Sequence, residues 1–172
     1  LAAQAHGLDI AISDERALLM ETGGGLMHAK ALIGDDPFYC VNSDNLWTDR
    51  GTNALVRLAE RWDDAAMDFL LLLIPFGEAN NHTGKGDFHL SPEGRLIRRA
   101  PEEERGEYVF TGIQMISQRA LIDAPDGPFS TNLFWSRAIE AGRCYGLVHD
   151  GLWFDVGWPG AIPATEEVLA RD

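Results

Sequence analysis

Met67 to Ile74 is the stretch that most constrains the fold, because apart from Asp68 it is an unbroken apolar run, bounded by Pro75 and Gly77. A strand with one wet face alternates apolar and polar residues. One without alternation must be covered on both faces, as in a parallel sheet flanked by helices. Its longest apolar stretch, Phe69 to Pro75, is far short of the roughly 20 residues of a membrane span. The chain is therefore expected to be an α/β protein with no membrane association.

At 172 residues it fits one domain, residues 1–172, and with 45% hydrophobic and 24% charged residues it has the composition of a globular protein. The formal charge of −13 argues against a nucleic-acid surface, which draws on clustered Lys and Arg. A phosphorylated small molecule remains compatible, provided that a divalent cation or a few local donors offset the acidity. Cys40 and Cys144 lie far apart in apolar stretches, without metal-ligand spacing, and read as reduced core residues. With no basic segment leading an apolar one at its start, the chain is expected in the cytoplasm.

The remaining elements follow from periodicity and punctuation. Leu1–Gly7 reads as a helix end and Leu8–Ile12 as a short strand. The glycines of Glu21-Thr22-Gly23-Gly24-Gly25 precede a helix over Leu26–Ile33 that stops at Gly34. Phe38–Val41 is a strand, and Leu55, Leu58, Ala59 and Trp62 mark a helix face behind a Thr52 cap. Asp87–Leu90 and Arg95–Arg98 form a hairpin, and Glu107–Ile116 a long strand interrupted at Thr111-Gly112. Ser117–Leu121 starts a short helix, and Ser130 or Thr131 caps one running to Ala141. Cys144–Val148 and Leu152–Val156 are strands split by the turn dipeptide Asp150-Gly151, and Pro159 opens the last helix. Strands alternating with helices imply a mainly parallel central sheet with a small antiparallel insertion.

Two strands end in carboxylates. Phe38-Tyr39-Cys40-Val41-Asn42-Ser43-Asp44-Asn45 delivers Asp44 between amides, and Trp153-Phe154-Asp155-Val156-Gly157 delivers Asp155. Each is compatible with an Asx turn or a capped turn. Each is also compatible with a ligand position, since open α/β sheets collect ligands beyond the carboxyl ends of strands. Together they are suited to Mg²⁺, which takes one or two carboxylates and completes its shell with water and substrate phosphate. The triple glycine allows close backbone approach to a flat base or a phosphate, or is a flexible turn.

The order Glu21-Thr22-Gly23-Gly24-Gly25, Val41-Asn42-Ser43-Asp44, Gly86-Asp87-Phe88, Phe110-Thr111-Gly112-Ile113 and Gly151 to Gly157 resembles that of sugar-1-phosphate nucleotidyltransferases, from about residue 8 to the end. Within that family it is most similar to the N-acetylmuramate α-1-phosphate uridylyltransferase branch. The resemblance implies a Rossmann-like nucleotide-diphospho-sugar transferase fold. It also implies transfer of a nucleoside monophosphate from a nucleoside triphosphate to a sugar 1-phosphate with Mg²⁺. It makes Asp44 and Asp155 the catalytic metal ligands, Glu21, Gly24 and Gly25 the nucleotide contacts, and Asn42, Asn45, Gly86, Phe110, Thr111 and Gln114 the sugar contacts.

There are departures from the family pattern. Ser43 replaces a frequent Gly, Trp158 a usual Thr, and Arg98-Arg99-Ala100 occupies the region of a Glu-Lys-Pro sequence. The family's G-x-G-x-R loop has no match before Glu21, so the chain is expected to be N-terminally incomplete, lacking its first strand–loop–helix unit. The surface so exposed leaves a homodimer open. A guanylyl- or thymidylyltransferase and a noncatalytic nucleotide-sugar-binding domain are the alternatives. His82, His89, Lys85, Lys30, His28 and the acidic run Pro101–Arg105 are expected to be solvated or structural, and Trp47, Trp62 and Trp135 to be core.

Overall fold

A computed structural model describes residues 9–171 of the chain. The elements are α1 (Glu21–Ile33), β1 (Phe38–Val41), β2 (Asn45–Trp47), α2 (Ala54–Arg61), β3 (Phe69–Pro75), β4 (Ala79–Asn80), β5 (Phe88–Leu90), β6 (Leu96–Arg98), β7 (Tyr108–Ile116), α3 (Asn132–Glu140), β8 (Cys144–Val148), β9 (Trp153–Asp155) and α4 (Ala161–Leu169). Short 3₁₀ turns occupy Phe76–Glu78 and Gln118–Leu121.

The apolar run forms β3, and Phe69 to Ile74 are fully buried. Alternation along the strand divides them between two layers. Phe69, Leu71 and Leu73 pack with Phe88, Ile116 and Phe134 on the α3 side, while Leu70 and Leu72 pack with Ala54, Leu58 and Ile113 on the α2 side. Each leucine so buried contributes about 1.5–3 kcal/mol. The double coverage expected from this run is what the structure has.

The main sheet has the order β6-β5-β7-β3-β8, with β1 also paired to β7. The α/β class stands, but the pairing is mixed. β1, β3 and β8 share one direction, as a parallel sheet requires, yet β7 runs against them and lies between β1 and β3. The β3–β8 ladder is parallel and the others in this sheet are antiparallel.

One edge of β7 meets β5 at Tyr108 and then β1 from Ile113 to Ile116. Between the two, its ladder to β3 shifts register at Leu71/Leu73, opposite the expected interruption at Thr111-Gly112. Gly112 has φ +83°, and a Cβ there would lie 2.2 Å from Asn45 Nδ2. Only glycine meets both conditions without strain. A second sheet, β2-β9-β4, is tied to β7 by the Trp153 indole N–H, which donates to the Thr111 carbonyl at 2.8 Å.

Three expectations change. The glycines do not precede the helix but lie inside α1, where Gly23 and Gly24 are buried. A Cβ on Gly23 would come within 2.5 Å of the Phe129 ring, and one on Gly24 within 2.7 Å of the Gly127 carbonyl, so close packing offsets the cost of helical glycine. Asn53, not Thr52, caps α2, its Oδ1 accepting the Leu55 N–H at 3.0 Å. Asp9 to Ile12 is not strand, having no ladder partner among the described residues, and Ile10 and Ile12 are exposed. The expected helix end at Leu1–Gly7 lies outside the described residues.

Candidate functional site

A cavity of about 730 Å³ opens above β7 where its edge is free between β5 and β1. Helices α1 and α3 wall it on one side, joined where the N–H groups of Gly23 and Gly24 donate to the Phe129 carbonyl at 2.8 and 3.0 Å.

Asp44 and Asp155 both line it. The β2–β9 register sets Asn45 opposite Asp155, and Val156 N–H donates to the Asp44 carbonyl at 2.9 Å. The two carboxylates converge: Asp44 Oδ2 and Asp155 Oδ1 each lie 3.2 Å from the point a Cβ on Gly157 would occupy. Asp44 Oδ1 accepts from the Asn45 amide at 2.9 Å and Asp155 Oδ1 from the Gly157 N–H at 3.0 Å. Neither carboxylate forms an ion pair among the described residues. Two convergent carboxylates oriented by neutral donors fit a hard divalent cation that draws its other ligands from water and phosphate. No cluster of three or more His, Cys, Asp or Glu side chains at ligand spacing occurs among the described residues.

Most of the other expected site residues gather here. Glu21, Gly25, Asn42, Asn45, Gly86, Phe110 and Gln114 line the cavity. Glu21 opens α1 with φ +57°, and at Gly25 a Cβ would lie 2.9 Å from Glu15 Oε1. Asn42 N–H donates to the Gly112 carbonyl at 2.9 Å, which docks the Asp44 turn on β7. The Phe110 ring meets Trp135 edge-on at 4.8 Å, and its N–H donates to Asp87 Oδ2 at 2.9 Å. Gln114 is buried, with Oε1 accepting the Trp135 indole N–H at 2.9 Å.

Two residues lie elsewhere. Thr111 is fully buried away from the cavity lining, and its hydroxyl donates to the Leu72 carbonyl at 2.8 Å. Gly24 packs against Gly127 and Pro128 instead of the cavity, and its N–H is taken by Phe129. Both position the site without reaching into it.

Other lining residues were not singled out for this role. Trp135 is buried, as expected of a core residue, but also closes the cavity floor. Cys40 is half-buried against the cavity, while Cys144 is buried; burial pushes both thiols up from their ordinary range. His82 lines the cavity with a buried Nε2 that has no partner among the described residues. His89 lies outside, between Glu103 at 3.1 Å and Glu107 at 3.2 Å; the hydrogen bond to Glu103, with that to Glu107, raises its pKa. Arg98 and Arg99, noted in the sequence only as a departure, are the Lys or Arg side chains that line the cavity among the described residues. The carboxylates there are Glu15, Glu21, Asp44, Asp87 and Asp155.

No family model matches the chain. It is 39% identical over 172 residues to the N-acetylmuramate alpha-1-phosphate uridylyltransferase of Caulobacter vibrioides, covering 99% of this chain and 71% of that protein. To the protein of the same name in Neisseria meningitidis serogroup B it is 32% identical, covering 89% of this chain and 64% of that one. A Bacillus anthracis structure described as a glucose-1-phosphate thymidylyltransferase in complex with a sucrose superposes with a TM-score of 0.69 at 17% identity, covering 89% of this chain and 62% of that one. That likeness confirms the fold. Among the described residues, no helix is long and apolar enough to cross a membrane.

Proposed function

Because the chain belongs to the sugar-1-phosphate nucleotidyltransferases, we propose that the whole protein transfers UMP from UTP to N-acetylmuramate α-1-phosphate, forming the nucleotide sugar and pyrophosphate. The observation that carries this reading is the pair of strand-end carboxylates, Asp44 and Asp155, converging in the cavity with neutral donors orienting them. An oxygen of the sugar phosphate attacks the α-phosphorus in line. The bond to the bridging oxygen breaks, and pyrophosphate leaves with the electron pair. The attacking oxygen is already ionised, so no side chain need act as its base.

Asp44 and Asp155 would hold Mg²⁺, which when bound supplies neutralisation of charge at the transferring phosphoryl group. The work of this chain is orientation. Asn45 and the Gly157 N–H aim the two carboxylates. The base lies on the α1 side of the cavity, which Glu21 and Gly25 line, with Glu21 selecting it. Asn42, Asn45, Gly86 and Phe110 line the space left for the sugar.

The test is product analysis with the full-length protein, Mg²⁺, each of UTP, GTP, CTP and dTTP, and N-acetylmuramate 1-phosphate. UDP-N-acetylmuramate and pyrophosphate should dominate. A different base or sugar in the product would reassign the reaction within the family, and nucleotide sugar binding with no turnover would favour a noncatalytic role.

A further inference from the structure

Arg98 and Arg99 face a cavity that otherwise carries only carboxylates among its charged side chains, yet neither forms an ion pair among the described residues. Both are half-buried and held by neutral oxygens. Arg98 Nη1 donates to Asn132 Oδ1 at 3.1 Å, and its Nη2 donates to the Asn132 carbonyl at 3.1 Å and Ser136 Oγ at 3.2 Å. Its guanidinium also lies over the Phe88 ring, 5.6 Å from the centroid. Arg99 Nε donates to the Gly86 carbonyl at 3.1 Å, and its Nη1 to the carbonyls of Ala100 and Glu103, both at 2.9 Å.

A guanidinium has five N–H donors. The Nε of Arg98 and the Nη2 of Arg99 donate to no protein atom among the described residues. Two planar cations with fixed orientation, spare donors and no ion-pair partner among the described residues are suited to a carboxylate, which matches the guanidinium fork.

Their place along β7 decides which anion they meet. Arg98 pairs with Phe88, which pairs with Tyr108, whereas the Asp44 turn docks at Gly112. Four residues of β7 separate the two levels, and across the register shift they span about three residues of β3, on the order of 10 Å at ~3.4 Å per residue. A phosphate at the aspartates leaves these arginines to the far side of the sugar.

We propose that Arg98 and Arg99 form a carboxylate receptor by which the site selects an acidic sugar 1-phosphate. The inference rests on the acceptor proposed above, since N-acetylmuramate is N-acetylglucosamine carrying a lactic acid ether, whose carboxylate projects from the ring.

The experiment uses the full-length protein with UTP and Mg²⁺ and compares N-acetylmuramate 1-phosphate with N-acetylglucosamine 1-phosphate in the wild type, Arg98→Gln, Arg99→Gln and Arg99→Lys. The wild type should prefer the acidic sugar. Arg99→Gln should raise KM for it about 10- to 100-fold, as loss of a charge-assisted hydrogen bond does, and Arg99→Lys should recover part of that. The KM for the neutral sugar should stay within about threefold in every variant, the sign of an interaction with the carboxylate alone.

Equal loss with both sugars would overturn the proposal, because the arginines would then serve the phosphate or the fold. A wild type that uses the neutral sugar as well as the acidic one would overturn it while leaving uridylyl transfer intact. No transfer to either sugar would remove the proposed function and the receptor together. If Arg99→Gln fails to fold, as thermal unfolding would reveal, competition in the wild type by the unphosphorylated sugars decides. N-acetylmuramate should inhibit and N-acetylglucosamine should not, and equal inhibition would overturn the assignment.

Discussion

The two ends of the cavity hold opposite charges by the same device. At the aspartate end an Asn45 amide and the Gly157 N–H orient two carboxylates without cancelling them. At the arginine end carbonyls, an asparagine and a serine do the same for two guanidinium groups. Pairing these charges with each other would satisfy them and leave nothing for a ligand. Neutral partners fix direction while preserving the field, so one end is suited to a cation and the other to an anion. The lesson is that charged groups lining a cavity without an ion pair are better indicators of a binding role than those in salt bridges. Asp68, shared by Arg119 at 2.8 Å and Arg143 at 2.9 Å, is structural by that criterion.

The largest effect should come from the aspartate end. In the full-length protein, Asp44→Asn or Asp155→Asn is expected to lower Mg²⁺-dependent pyrophosphate release about 100-fold or more, with little change in melting temperature. Unchanged turnover would dissolve the contrast. Next comes the Arg99→Gln change in KM for the acidic sugar, which should leave kcat nearly intact. If it instead lowers kcat for every acceptor, the two ends serve one phosphate and are not separate.

A third substitution acts on the strand that joins them. Gly112→Ala forces a side chain into φ +83° and onto Asn45, and should cost about 1–3 kcal/mol of stability in a denaturant titration. It should also disturb the aspartate end more than the arginine end, because Asn45 holds Asp44.

The smallest effect concerns pH. Glu103, then Glu107, raise the His89 pKa above its unfolded value, so the stability that pairing contributes is complete below about pH 6.5. It is lost as pH rises through the higher folded value. Glu103 also accepts the Ala100 N–H and, through its carbonyl, an Arg99 N–H, so release of His89 loosens the arginine end. A melting-temperature profile should fall slightly across that range and be flat in His89→Gln.

The aspartate end was legible in the sequence because it lies where strands stop, and strand ends show as apolar runs breaking into Asn, Ser and Asp. Glu21, Gly25, Asn42, Asn45, Gly86, Phe110 and Gln114, which line the cavity, are legible only through the family resemblance of their motifs, since Phe110 and Gln114 lie within β7 and Gly25 within α1. The arginine end was not legible as a site. Arg98-Arg99 looks like any charged stretch closing a hairpin, and its meaning depends on Asn132 and Ser136, more than 30 residues away. Thr111 and Gly24 misled in the opposite sense. Both sit in site motifs, but the hydroxyl of one and the open face of the other are turned into the packing. In sequence alone the triple glycine reads as lying ahead of a helix, because glycine weakens helices in isolation, and only Phe129, Gly127 and Pro128 supply the reason for Gly23 and Gly24 within one.

β7 gives the site a ruler. Both charged ends are referenced to one strand, the Asp44 turn at Gly112 and the hairpin of Arg98 through Phe88 at Tyr108, so their separation follows that strand. It is also quantised. The register shift opposite Thr111-Gly112 already absorbs two residues of β7, so a change of length that keeps inward side chains inward comes in further steps of two. A site built this way would adapt to a longer or shorter acceptor by moving its charges along the strand, leaving the strand itself unaltered.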